Sequence, residues 1–176
     1  MRKNCLFLLA SCLVLLMLFG ACTETYQEFC TQYPVTYSFD ITYAPFNQVA
    51  SMGQFIRIRP RPADASVTVI SPSGASAKVP LSETERRAFA FGLGGLIVGQ
   101  PYFNDGSTYY AYDLACPACD RAAARMDVDE QGRASCPLCD NVYDLNNGGT
   151  VIDGSGRPLY RYRVTQSGVS TLFVHN

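Results

Sequence analysis

Histidine is almost absent from this 176-residue chain, which limits the chemistry the protein can perform. The only histidine is His175, beside the C-terminal residue, where chains are often mobile, so a hydrolytic triad has no well-placed base. Charge of one sign is also scarce, because the formal net charge is −1, and this gives no support to a nucleic-acid partner. Since no motif for acid–base catalysis is present either, the sequence favours a binding or electron-carrying protein over an enzyme.

A long apolar run is missing as well. The segment Cys5–Phe19 has 15 residues, short of the roughly 20 that a membrane-spanning helix needs. It follows Arg2 and Lys3, and a basic start before a short apolar segment is typical of a secretory signal peptide. The sequence therefore predicts export rather than a spanning helix.

The end of this apolar segment, Leu18–Cys22, resembles the lipobox of bacterial lipoproteins. The resemblance implies that residues 1–21 are a signal peptide, cut before Cys22, and that Cys22 carries the lipid. The alternative is a plain signal peptide with an incidental cysteine. We expect residues 22–34 to tether the protein to a membrane of the cell envelope, with the outer membrane favoured.

Cysteine, by contrast, is abundant, with eight residues. Four of them form two Cys-x-x-Cys pairs, Cys116/Cys119 and Cys136/Cys139, with 16 residues between the pairs. Proline in the second position of each pair presets a tight turn that carries two thiols. Two such pairs at this separation are typical of a zinc site, in which four sulfurs surround one tetrahedral ion.

The rest of the chain predicts an all-β protein. Apolar and polar residues alternate from Val35 to Thr42, which is the period of a half-buried strand. Short strand-like segments recur between turn residues as far as Val174. Ser82–Glu85 matches a capping box and predicts one short helix. The glycine-rich Phe91–Gly95 lacks the Lys-Ser/Thr of a phosphate loop and predicts a tight turn into a strand.

The residues around the cysteine pairs resemble the Rieske family. Tyr110–Leu114 leads into the first pair, and the second pair is followed by Val142–Leu145, the turn Gly148–Gly149 and then Pro158–Val164. The resemblance covers roughly residues 92–175 and implies a Rieske-like β-sandwich.

The resemblance departs at the ligands. A Rieske centre takes one cysteine and one histidine from each loop, whereas Cys119 and Cys139 stand here where the histidines belong. The predicted architecture is a Rieske-like domain over residues 35–176, in which residues 114–145 form a rubredoxin- or zinc-ribbon-like metal-binding hairpin. Asp120 and Asp140 follow the pairs where such turns often have glycine, and aspartate tolerates the left-handed conformation.

Three interpretations of the four cysteines remain open. The first is a closed structural zinc site, the second is iron, as a single ion or a 2Fe–2S cluster, and the third is two local disulfides. Zinc is favoured because a cysteine sulfur lies closer to the backbone than a histidine ring nitrogen. Cysteines in place of both histidines should therefore bring the two loops together around one ion. Export in an unfolded state also favours zinc, which needs no assembly machinery. Arginines near the site are candidates to offset the thiolate charge: Arg121, Arg125, Arg161 and Arg163.

The expected function follows from the favoured metal. With zinc as a cross-link, the domain's surface contacts another component of the envelope. With iron at the same four cysteines, the protein transfers electrons. Cys30 is left over and is expected to be an inert or buried thiol.

Overall fold

The computed structural model describes residues 29–103 and 106–176. The predicted signal peptide, Cys22 and residues 22–28 of the predicted tether lie outside the described residues. Within the two described ranges, no helix is both long and apolar enough to cross a membrane.

The described residues form thirteen strands, one short α-helix and two 3-10 helices. The elements before the cysteine pairs are β1 (Val35–Asp40), a 3-10 helix (Phe46–Ala50), β2 (Phe55–Arg61), a 3-10 helix (Pro62–Asp64), β3 (Ser66–Ile70), β4 (Ser76–Pro80), α1 (Glu83–Ala88), β5 (Ala90–Phe91), β6 (Leu96–Gly99) and β7 (Tyr110–Asp113). Those that follow the first pair are β8 (Asp127–Val128), β9 (Arg133–Ser135), β10 (Val142–Asp144), β11 (Thr150–Asp153), β12 (Arg161–Ser167) and β13 (Thr171–His175). The predicted all-β class is confirmed.

The strands make two antiparallel sheets of different size. Nine strands form the larger sheet, which we call the platform, in the order β4-β3-β2-β6-β7-β12-β13-β1-β5. The smaller sheet has the order β11-β10-β9-β8. It lies in the segment between β7 and β12, residues 114–159, which we call the metal module. The predicted metal-binding hairpin at residues 114–145 falls inside this module, and β11 extends its sheet to Asp153.

The platform curls around an apolar core, because inward-facing side chains from seven of its strands meet in one cluster. On β1 the predicted alternation is confirmed: Val35, Tyr37 and Phe39 are buried, while the residues between them are partly exposed. The capping box is also confirmed, since the Ser82 side chain accepts from the Glu85 N–H and the Glu85 carboxylate accepts from the Ser82 N–H.

The middle strands of the platform are buried on both faces. On β6, Leu96 and Val98 belong to the platform core, whereas Ile97 between them packs beneath the metal module. On β7, Ala111 points into the platform core and Tyr112 into the module. Strands that are covered on both sides need no polar face, which explains why β6, and β7 as far as Tyr112, have apolar sequences.

Part of the predicted tether lies against the platform. The Cys30 N–H donates to the Arg161 carbonyl at 2.8 Å, and the Asn176 side-chain amide donates to the carbonyls of Cys30 and Tyr33 at 2.6 and 3.0 Å. We call residues 29–34 the N-terminal strap. The strap joins the domain to the undescribed residues that precede it.

Candidate metal centre

Two turns of the same shape present the four cysteines. In the first turn the Asp120 N–H donates to the Cys116 carbonyl at 2.9 Å, and in the second the Asp140 N–H donates to the Cys136 carbonyl at 3.0 Å. The predicted left-handed conformation is present in both, with φ of 48° at Asp120 and 59° at Asp140. Each turn therefore reverses the chain at once and aims both of its sulfurs to one side.

The structure brings the four predicted ligands together. All four sulfur atoms lie within 4.8 Å of one another. The Sγ atoms of Cys116 and Cys139 are 3.6 Å apart, and those of Cys119 and Cys136 are 3.8 Å apart. All four are free cysteines, so the structure has neither of the two local disulfides. The separations of the sulfur atoms match the ~3.8 Å between two thiolates on one tetrahedral ion with bonds of ~2.3 Å.

The two cysteines of each turn lie at different depths in the protein. Cys116 and Cys136, the first cysteine of each pair, are buried, whereas Cys119 is half-buried and Cys139 is exposed. The two buried cysteines, Cys116 and Cys136, pack with Ala124 and Met126. One side of the site therefore rests on an apolar floor, and the other side reaches the surface.

A buried tyrosine supports the first cysteine. The Tyr143 hydroxyl lies 3.4 Å from Cys116 Sγ, and the Asn141 side-chain amide donates to the same hydroxyl at 3.2 Å. Asn141 also donates to the Ser155 carbonyl at 2.7 Å, which ties the second turn to the loop after β11. Outer groups of this kind orient thiolate ligands and disperse their charge.

The surroundings shift the pKa values of Cys119 and Cys116 in opposite directions. Burial, together with the neighbouring sulfurs of Cys139 and Cys136, raises the pKa of Cys119 to about 12. Burial also opposes ionisation of Cys116, but hydrogen bonds from the Tyr143 hydroxyl and nearby backbone amides outweigh it and lower the pKa of that thiol. Four thiolates this close repel one another, so a cation between them is what allows all four to ionise together.

The glycine-rich turn before β6 cradles a carboxylate of the protein itself. Asp113 is fully buried, and it accepts hydrogen bonds from the amides of Leu93, Gly94 and Ala115 at 2.6, 2.9 and 2.7 Å. The Tyr162 hydroxyl donates to it at 2.7 Å. The predicted tight turn is confirmed, and its amides serve the aspartate that leads into the first cysteine turn.

The glycines of this turn are needed because Asp113 lies so close. Gly92 has φ of +69°, and a Cβ there would overlap the Asp113 carboxylate. A Cβ at Gly94 would come within 2.7 Å of the Ala115 backbone nitrogen. Burial raises the pKa of Asp113, and the four hydrogen bonds offset only part of that rise.

Three of the four arginines predicted to offset the thiolate charge have other partners, and no contact in the described part of the chain places Arg121 at the sulfurs. Arg125 donates to the Gly94 carbonyl at 2.8 Å, and Arg161 and Arg163 lie over the Phe29 ring at 5.4 and 4.7 Å.

The only histidine and the remaining described cysteine lie outside the site. His175 lies 2.9 Å from the Thr165 hydroxyl and takes no part in the site. Cys30 packs against the platform core.

Sequence reasoning missed Asp113, Tyr143 and Asn141. Tyr143 belongs to the strand after the second pair, and its burial follows from the alternation there, but its contact with a sulfur depends on the folded turn. Asp113 lies just before the first turn, yet two of its backbone donors lie about twenty residues earlier in the chain and its hydroxyl donor lies 49 residues later. No local pattern signals such an interaction.

Comparison of the chain with protein-family models, with curated proteins and with solved structures gave no match. What the site can do therefore follows from its own geometry: four cysteines lie close enough together to bind a metal.

Proposed function

We propose that Cys116, Cys119, Cys136 and Cys139 hold one zinc ion with a structural role, cross-linking the two turns and stabilising the metal module on the platform. The observation that carries this proposal is the spacing of the four sulfurs, all within 4.8 Å of one another, which suits one tetrahedral ion. Four protein ligands leave no open position for water or substrate, and a closed site of this kind favours a structural role over a catalytic one.

A 2Fe–2S cluster has less support from this spacing. In such a cluster two irons and two bridging sulfides separate the cysteines, so sulfurs on different irons stand further apart than sulfurs on one ion. Whichever two cysteines shared an iron here, the remaining pairs would need to separate beyond the observed 4.8 Å.

The second candidate is a single iron with an electron-transfer role. One observation favours it: Cys139 is exposed and Cys119 half-buried, so one edge of the site is open to a redox partner. A tetrahedral set of four thiolates suits a single iron as well as zinc in geometry, although divalent zinc binds such a site more tightly. This candidate requires visible absorption that a zinc protein does not have.

Metal analysis of the chain purified from its own host tests the proposal. We expect about one zinc per chain, no acid-labile sulfide and no visible absorption. Stoichiometric iron with a visible band that bleaches on reduction would contradict zinc and establish the second candidate. Labile sulfide in addition would identify a cluster.

We also propose that the domain is exported and lipid-anchored at Cys22, with the outer membrane favoured. The support is the short apolar segment after two basic residues and the lipobox-like Leu18–Cys22. Cys22→Ser is expected to leave the signal uncut or to release the protein from membranes. A variant that is still cleaved after Ala21 and still sediments with membranes contradicts the anchor.

The proposed fold relationship is to the Rieske family, supported by the order turn–hairpin–turn–strand between two neighbouring strands of an antiparallel sheet. With zinc in place, the domain acts through its surface, by contact with another envelope protein. Site-directed photo-cross-linking in intact cells, starting from the exposed Leu138 beside Cys139, tests for that contact. If no surface position gives an adduct, the proposed contact is wrong.

A further inference from the structure

The N-terminal strap reaches the first cysteine turn through one side chain. The Tyr33 hydroxyl donates to the Asp120 carboxylate at 2.8 Å, across 87 residues of sequence. Tyr160, which directly precedes β12, donates to the same carboxylate oxygen at 2.7 Å. The rings of the two tyrosines meet edge to face with centroids 5.3 Å apart. Two hydroxyls from distant parts of the chain therefore converge on one oxygen atom.

The position of that oxygen depends on the cysteine turn. Asp120 follows Cys119 directly and has a left-handed backbone, which is unfavourable for residues other than glycine unless the surroundings hold it. Closure of the turn, through the bond from the Asp120 N–H to the Cys116 carbonyl, is what fixes it. Opening the turn frees Asp120 to adopt more favourable conformations and moves its carboxylate away from the tyrosines.

The second cysteine turn has the same backbone as the first but lacks its contact with tyrosines. Asp140 has the same place in its turn, the same left-handed backbone and the same backbone hydrogen bond. Among the described residues, no side-chain hydrogen bond to the Asp140 carboxylate is found, whereas Asp120 accepts two. The interaction with the tyrosines is therefore specific to the turn beside the N-terminal strap, and is not a general property of such turns.

We propose that Tyr33 and Tyr160 are positioning residues for the first cysteine turn, and that through Asp120 they couple metal occupancy of the site to the docking of the N-terminal strap. The inference rests on the proposed zinc function. The tyrosine hydroxyls and the bound metal select the same conformation of the turn, so each stabilises the state that favours the other. Because such coupling is reciprocal, loss of Tyr33 weakens metal binding by the same factor that metal strengthens docking of the strap.

The consequence concerns the chain that precedes the domain. Residues 29–34 connect the domain to the segment that begins at Cys22. The backbone of the strap has other contacts, such as the bond from the Gly92 N–H to the Pro34 carbonyl at 3.0 Å, so losing the metal loosens it without releasing it. How tightly the strap docks on the domain therefore depends on whether the four cysteines hold a metal.

The first arm of the test measures Zn²⁺ affinity of the full chain by competition with a chromophoric chelator. Tyr33→Phe is expected to weaken binding roughly threefold to tenfold, the range that one hydrogen bond supports. Its control is Tyr43→Phe, at a tyrosine that is 70% exposed, which is expected to bind within twofold of the unaltered chain. Asp120→Gly is compared with Asp140→Gly, which makes the same backbone change in the second turn, and is expected to bind more weakly than that control. Equal affinity of Tyr33→Phe and the unaltered chain overturns the proposal.

The second arm measures amide exchange of residues 29–35 in reduced protein with Zn²⁺ or with chelator. We expect Zn²⁺ to slow exchange in the unaltered chain by the factor found in the first arm, and the effect to vanish in Tyr33→Phe. If Zn²⁺ protects residues 114–145 but leaves the strap unchanged, the coupling is wrong while the structural zinc stands. If Zn²⁺ neither binds at the four cysteines nor protects residues 114–145, the proposed function fails and the coupling fails with it.

Discussion

The platform and the metal module achieve their folds by different means. The platform buries large apolar side chains from seven strands in a core of its own. The module has four strands of two to four residues, and the residues it buries from its own hairpin include small ones such as Ala124 and Ala134. It also buries large side chains of its own, such as Met126, Tyr143 and Leu145. These pack in one cluster with Phe55, Ile97 and Tyr112 of the platform. The platform therefore has a core of its own, whereas the module shares its core with the platform and, in the proposed function, gains a metal cross-link.

The largest effect is expected from removing a buried ligand. Cys136→Ser should abolish stoichiometric zinc binding and remove exchange protection across residues 114–145, while β1 and β12 stay protected. Structural zinc contributes ~10–16 kcal/mol in small peptides at neutral pH, which is as large as the net stability of a whole domain, ~5–15 kcal/mol. Amide exchange of the reduced protein measures this. Cys30→Ser, at a cysteine that packs on the platform core, is the control. Unchanged protection in Cys136→Ser would show that the module does not need the metal.

Neighbouring residues of β6 sharpen the comparison. Leu96 and Ile97 are both fully buried, but Leu96 faces the platform core and Ile97 faces the module. Each change to alanine is expected to lower the free energy of unfolding of the zinc-loaded protein by about 2–5 kcal/mol. In zinc-free protein we expect Leu96→Ala to keep its effect and Ile97→Ala to lose most of it, because the module above Ile97 is already loosened. Urea unfolding of both variants in both states decides this, and equal losses in the zinc-free state would contradict it.

A smaller effect is expected from the tyrosine behind the first cysteine. Tyr143→Phe removes the hydroxyl that lies 3.4 Å from Cys116 Sγ and keeps the buried ring. We expect zinc affinity to fall roughly tenfold to a hundredfold, as for other groups that support metal ligands, with the fold unchanged. Competition with a chelator measures the affinity. Tyr37→Phe, at a tyrosine buried in the platform core, should leave it unaltered. Equal losses in both variants would mean that the effect is a general one on stability.

The smallest effect is a pH dependence that belongs to the platform. Burial raises the pKa of Asp113 in the folded protein above its ordinary value of about 3.9. Its stabilising contribution is therefore complete below pH ~3.9 and is lost as pH rises through the raised pKa. The free energy of unfolding of the zinc-free chain, minus that of Asp113→Asn, should fall as pH increases from about 4 and then level off. Urea unfolding at a series of pH values tests this, and a difference that rises with pH would contradict it.

Local sequence rules predicted the parts of this molecule that local chemistry determines. The alternation in β1, the capping box at Ser82 and the left-handed aspartates after the cysteine pairs all follow from a few neighbouring residues. β4 was not predicted, because it lies at the edge of the sheet and its half-buried face consists of only Ala77 and Val79, too short an alternation to signal a strand.

The residues that contact the cysteine turns from other parts of the chain could not be predicted from the sequence. The two hydroxyls that meet Asp120 come from positions 87 and 40 residues away, and only the curled platform brings them together. The four cysteines could be found from their spacing because both turns carry their own geometry. The buried carboxylate of Asp113 could not, since two of its four donors, the amides of Leu93 and Gly94, belong to a loop whose path is set by the sheet.

The way the module joins the platform has a consequence for engineering. β7 and β12 pair directly, and the Asp113 N–H donates to the Tyr160 carbonyl at 2.9 Å, so the chain leaves the sheet and returns to it at adjacent positions. Residues 114–159 therefore form a side branch that interrupts a hairpin without altering its pairing. A short turn in its place would expose Phe55, Ile97 and Tyr112, so excision requires polar residues at those positions. Transfer of the branch to another hairpin has the opposite requirement. A recipient sheet must supply an apolar landing surface in place of Phe55, Ile97 and Tyr112.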